Sequence, residues 1–180
     1  MVERDRARRN RSRILGALSP LFFSASLLAQ ASDRGDARRI TVLGRFDPAL
    51  IQLVNDVVPR AAEKLRDERC QQLLSDFRDG RGRILRENLP RGETASGFLR
   101  WLIFVNAAEE GFCVQRGMIA ATNPGDRIVR LCAPFRAIAR SDSGLAAALV
   151  IHEELHSLGL GENPPSSYEI TRKVVERCGR

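Results

Sequence analysis

The feature that most constrains this chain is a stretch near its C-terminus, residues 145–158, whose apolar residues recur at helical spacing. Ser141 or Asp142 can cap the start of this helix, and Gly159 and Gly161 mark its end. Two adjacent stripes run along it: Leu145, Leu149, His152 and His156 in one, and Ala148, Ile151, Leu155 and Leu158 in the other. We therefore expect a largely buried helix with both histidines at the edge of its core face and Glu154 in solvent.

The first 31 residues have the order of a secretory signal peptide. Six arginines precede residue 14, residues 14–32 carry no charge and are rich in leucine and phenylalanine, and Ala29 and Ala31 flank Gln30. A basic region, a short apolar core and small residues at the cleavage site define such a signal. We predict cleavage after Ala31 and a secreted or periplasmic protein, with a flexible segment at 32–46 and one domain at 47–180. A retained membrane anchor is the alternative, although Ser19-Pro20 interrupts a run already short for a span.

The net charge of +7 is concentrated at the N-terminus. Residues 1–31 carry four of these charges, so the mature chain carries only +3. Proteins that bind nucleic acid usually cluster basic residues on one face, and no such cluster follows residue 40. We therefore expect no nucleic-acid partner, no stable membrane span after signal cleavage, and a monomer.

Four cysteines lie in the predicted mature chain, an even number suited to an oxidising compartment. They are Cys70, Cys113, Cys132 and Cys178. None are spaced as zinc-chelating pairs, so two disulfides are expected instead. Of the three possible pairings, we favour Cys113–Cys132 with Cys70–Cys178.

The remaining pattern predicts helices before strands. Asp47-Pro48 begins a helix that Pro59 should break or kink, and a second helical stretch runs from Leu65 to Gly80. Ile40–Leu43 and Trp101–Val105 are read as strands.

The C-terminal half begins with a hairpin and ends with a helix. The turn Asn123-Pro124-Gly125-Asp126 separates two β-type runs, 118–122 and 127–132. Ser166 and Glu169 form a capping box for a C-terminal helix. The order predicts an α+β fold with N-terminal helices and a small, mainly antiparallel sheet, not an alternating α/β fold.

The chemistry is carried by His152-Glu153-Glu154-Leu155-His156, which contains the only two histidines of the chain. Residues four apart share one face of a helix, so both imidazoles can bind one Zn²⁺. Glu153 can then take a proton from a metal-activated water as general base.

The segment His152 to Glu162 resembles the metzincin pattern H-E-x-x-H-x-x-G-x-x-H, with Glu in the last position. The resemblance covers eleven residues and implies a zincin-like metallopeptidase fold, with an active-site helix and a glycine turn that delivers Glu162 as third ligand. The chain departs from the metzincins because no methionine follows the motif. The segment from Leu158 to Ser167, with Ile170-Thr171, is also similar to uncharacterised bacterial exported proteins, a likeness that implies no activity.

Two further residues have alternative interpretations. Glu169 is the rival third ligand, as in gluzincins, but its place in the capping box already accounts for it. Tyr168 can donate to an oxyanion, although a residue in an exposed first turn needs no such role.

The sequence thus predicts a zinc-dependent hydrolase, most simply a peptidase acting on peptide or protein substrates. The alternative is a non-catalytic secreted module that binds metal or is merely stabilised by its disulfides. Glu153 distinguishes them, because a hydrolase needs this carboxylate and a structural metal site does not.

Overall fold

The chain folds into a mixed structure of helices and one small sheet, the predicted α+β class. The computed structural model describes residues 40–43, 47–114 and 117–179. The predicted signal peptide lies outside the described residues, and of the predicted segment 32–46 the structure describes only residues 40–43. Within the described residues, no helix is both long and apolar enough to cross a membrane.

The elements follow one another in a simple order. The helices are α1 (Pro48–Lys64), α2 (Glu68–Gln71), α3 (Leu73–Asp76), α4 (Ala95–Phe98), α5 (Ala133–Ser141), α6 (Ser143–Ser157) and α7 (Ser167–Cys178). The strands are β1 (Thr41–Leu43), β2 (Ile103–Asn106), β3 (Ala120–Ala121) and β4 (Ile128–Leu131). Short 3₁₀ turns lie at Leu85–Asn88, Leu99–Trp101 and Gly111–Val114.

The sheet has the order β1-β2-β4-β3, and its pairing corrects the prediction of a mainly antiparallel sheet. β1 with β2 and β2 with β4 are parallel, and only the predicted hairpin, β3 with β4, is antiparallel. Long connections permit parallel pairing, since α1 to α4 lie between β1 and β2. The pattern of apolar residues along the sequence indicates where strands lie, but it does not indicate whether a strand pairs parallel or antiparallel with a distant one.

Two helices also differ from expectation. α1 continues through Pro59, although proline in a helix interior costs roughly 3 kcal/mol. Val57, Val58 and Ala61 are buried on either side of it, and their packing offsets the lost hydrogen bond. α5 was not predicted; it starts beside Pro134, in the first turn where proline is tolerated.

α6 is the central helix, packed against α1, α5, α7 and β3. Every residue from Ala146 to Ser157 is buried. The Asp142 side chain caps its start by accepting a hydrogen bond from the Leu145 amide at 2.8 Å. The rest of the fold thus encloses one helix, and that helix carries both histidines.

Two disulfides stabilise this arrangement, with the pairing favoured from the sequence. Cys70–Cys178 joins α2 to the end of α7, and Cys113–Cys132 joins a 3₁₀ turn to the residue after β4. The prediction of both pairs is confirmed.

Candidate metal centre

His152 and His156 lie one turn apart on α6 and direct the same ring atom at each other. Their Nε2 atoms are 2.9 Å apart, and both side chains are buried. The predicted i, i+4 geometry is therefore present, on a helix whose burial on all sides limits the rings to few orientations.

The bend after α6 brings the predicted third ligand to the same point. The amide of Gly159 donates to His156 O at 2.8 Å, and that of Leu160 donates to Leu155 O at 3.0 Å, the two bonds of a Schellman motif. Gly159 has φ +102°, a conformation that favours glycine. Glu162 then follows two residues beyond Leu160.

Glu162 Oε1 lies 3.3 Å from Nε2 of His156 and 3.8 Å from Nε2 of His152. These three side chains form a group whose ligand atoms are close enough to hold one metal ion. The Glu162 side chain keeps 40% of its exposure, so the site opens to solvent on that side.

The position of the protons on His156 shows why a cation suits this centre. Its Nδ1 lies 2.7 Å from Leu160 O, and a carbonyl can only accept, so Nδ1 carries the proton. The neutral ring therefore presents a lone pair at Nε2, towards a second imidazole nitrogen and a carboxylate. His156 is therefore able to ligate a metal ion through Nε2.

The donor set fits zinc. Two imidazole nitrogens and one carboxylate oxygen are common ligands of catalytic Zn²⁺. Donors at zinc bond lengths of about 2.0–2.1 Å are roughly 3.3 Å apart in a tetrahedral shell. The observed separations of 2.9, 3.3 and 3.8 Å bracket that value.

Glu153, the predicted general base, is buried on the wall of the same cleft. Burial raises the pKa of its carboxyl, while the charges of His152 and His156 and the neighbouring Thr122 act in the opposite direction. Neither Glu153 Oε2 nor Thr122 Oγ1 has a hydrogen-bond partner. Buried polar atoms without partners are rare, and both residues line the cleft, so these two atoms can form hydrogen bonds with a molecule bound there.

Glu154 corrects the prediction of a solvated side chain. It is 0% exposed, and neither carboxylate oxygen has a hydrogen-bond partner. Burial raises its pKa well above the usual range and favours the neutral acid. The sequence suggested a solvent face for α6, but neighbouring helices cover that face.

Helix α7 supplies two hydroxyl groups that the sequence did not single out. Thr171 Oγ1 lies 2.8 Å from Nδ1 of His152. Ser167 lines the same cleft as Glu162. The pKa of Glu162 is lowered, chiefly by the nearby His152 ring. The i, i+4 spacing of Ser167 and Thr171 was visible in the sequence, but no sequence feature indicated that α7 packs against α6.

The two alternative residues lie elsewhere on α7. Glu169 forms the predicted capping box: its Oε2 accepts from the Ser166 amide at 2.8 Å, and the Ser166 hydroxyl accepts from the Glu169 amide. Tyr168 is 76% exposed and is not among the residues that line the cleft.

The cleft beside the three side chains has a volume of about 490 Å³. One wall is the segment 117–122, which includes β3, and the other consists of α6, Glu162 and the start of α7. β3 is at the edge of the sheet, so among the described strands it pairs only with β4. The site thus combines three side chains that could hold a metal ion, a buried carboxylate with one unpartnered oxygen and the edge of a strand.

The chain matches no protein-family model, and neither a curated protein nor a solved structure matches it.

Proposed function

We propose that this protein is a zinc-dependent hydrolase, and specifically a peptidase, in which His152, His156 and Glu162 hold the metal and Glu153 is the general base. One observation carries the proposal: three donor atoms converge within 3.8 Å beside Glu153, a buried carboxylate whose Oε2 has no hydrogen-bond partner. A purely structural zinc site is closed by four protein ligands, whereas three ligands facing a cleft leave a position open.

The chemistry divides between the ion and the chain. A bound zinc ion acidifies a water molecule and polarises a carbonyl group. Glu153 Oε2 accepts the proton from water and passes it to the leaving nitrogen. Its raised pKa suits this exchange, because a base whose pKa is nearer neutrality can both take and return a proton.

A peptide is the substrate class that the cleft suits best. The free edge of β3 offers backbone donors and acceptors to an extended chain, as in recognition by strand addition. The segment 117–122 that carries it contains no charged residue. We therefore expect small or apolar substrate side chains next to the scissile bond.

An exported location accompanies this proposal. Two disulfides are typical of secreted and periplasmic proteins, and the N-terminal residues predict a signal peptide.

The test is metal analysis combined with hydrolysis assays on the purified mature chain. We expect one zinc per chain in the wild type and in Glu153→Gln, and none in His152→Ala. Hydrolysis of a quenched-fluorescent peptide library should fall about 10²–10⁴-fold in Glu153→Gln, the usual contribution of a general base. Glu176→Gln, at an exposed position on α7, is the matched control and should retain full activity.

Other results would redirect the proposal. Zinc binding without hydrolysis of any peptide by the wild type would favour a non-catalytic metal-binding module. Absence of zinc from the wild type, even after incubation with the metal, would refute the metal centre itself.

A further inference from the structure

The C-terminal helix α7 contacts the metal centre through a repeated spacing. Ser167 and Thr171 are four residues apart on α7, just as His152 and His156 are on α6. Both hydroxyl-bearing side chains line the cleft, and Thr171 Oγ1 lies 2.8 Å from Nδ1 of the predicted ligand His152.

We propose that Thr171 is a positioning residue of the metal centre, so that α7 serves as a second scaffold helix which orients one of the three ligands, His152. This inference rests on the proposed function, since it assigns the Thr171 hydroxyl a role towards the metal held at that site.

The His152 ring that Thr171 contacts is buried, so water cannot easily replace the Thr171 hydroxyl. When His152 binds a metal through Nε2, the neutral ring carries its proton at Nδ1, and Thr171 Oγ1 at 2.8 Å accepts it. This bond selects the tautomer and the ring orientation that ligation requires. His156 obtains the same support from Leu160 O, so each imidazole has one outer partner.

The position of α7 is itself well determined. Cys178, at its last residue, is bonded to Cys70, and Arg177 and Lys173 pair with Asp76 at 2.9 and 3.5 Å. The capping box at Ser166 determines where the helix starts. These contacts fix the position of α7 and therefore keep the Thr171 hydroxyl next to His152.

The test compares zinc affinities by competition with a chromophoric chelator. Thr171→Val keeps the shape of the side chain but removes the acceptor, and we expect zinc affinity to fall about 10- to 100-fold, the usual effect of losing such a partner. Thr171→Ser keeps the hydroxyl and should remain within a few-fold of the wild type. Arg172→Gln, the next residue on the exposed face of α7, is the control for disturbance of the helix.

A spectroscopic measurement separates hydrogen bonding from packing. In zinc-loaded wild type and Thr171→Ser, we expect a slowly exchanging downfield Nδ1 proton on His152, which Thr171→Val should lose. Equal loss of affinity in both Thr171 variants, or unchanged affinity in Thr171→Val, would overturn the inference while the zinc site stands. A wild type that binds no zinc would instead refute the proposed function, and this inference with it.

Discussion

Replacing Glu154 by methionine is expected to stabilise the protein, and the gain should increase with pH. The carboxyl is 0% exposed and has no hydrogen-bond partner, whereas methionine has a similar length and is apolar. Burying an unpartnered polar group costs about 1–3 kcal/mol in proteins. We therefore expect the free energy of unfolding to rise by about that amount at pH 5.

The pH dependence follows from the raised pKa of Glu154 in the folded state. At pH values below 4.5, the pKa of the carboxyl in the unfolded chain, the folded and unfolded states both hold the proton. Ionisation then contributes nothing to the free energy of unfolding. Above it, the unfolded carboxyl ionises while the folded one stays neutral, so wild-type stability falls as pH rises until the folded carboxyl also ionises. The limiting slope is about 1.4 kcal/mol per pH unit, and the advantage of Glu154→Met should widen as pH rises above 4.5, until the folded carboxyl ionises.

Urea unfolding of metal-free protein at several pH values measures this difference, in which the other titrating groups cancel. Glu154→Gln cannot ionise but remains polar, so it should remove the pH-dependent part and retain the rest of the cost. Glu63→Gln, at an exposed position, should change stability by no more than about 0.5 kcal/mol. A methionine variant less stable than the wild type, or a gap that is constant with pH, would refute the reasoning.

Three further predictions concern the framework of the site. Replacing Cys70 and Cys178 by serine opens a link between residues 108 apart, so the free energy of unfolding should fall by about 4–5 kcal/mol in urea titrations and zinc affinity should weaken as α7 loosens. Gly159→Ala should destabilise the protein by more than about 1 kcal/mol and reduce its zinc content, because φ is +102° and the new Cβ would lie 3.2 Å from a neighbouring side chain. Gly161 has open space around it, so Gly161→Ala should change neither stability nor zinc content. Asp142→Ala should lower the thermal midpoint through a loss of about 1 kcal/mol, because it removes the cap of α6.

The features predicted correctly depend on residues close together in the chain. The ends of α6 follow from Asp142 and from the glycine bend, and the β3–β4 hairpin follows from its turn. The convergence of His152, His156 and Glu162 required only one helical turn and one bend. Periodicity, capping and turn chemistry act over a few residues, so the sequence expresses them directly.

Other features depend on which distant segments pack together. Two such features join elements that are distant in the chain: the parallel pairing of β1, β2 and β4, and the contact between Thr171 and His152. A third is the burial of Glu154, which depends on the elements packed around α6. No local pattern encodes them, because they depend on how the whole core excludes water. The sequence by itself determined the proposed ligand set and its helix; the tertiary structure decided the cleft, the hydroxyl groups that line it and the buried acid.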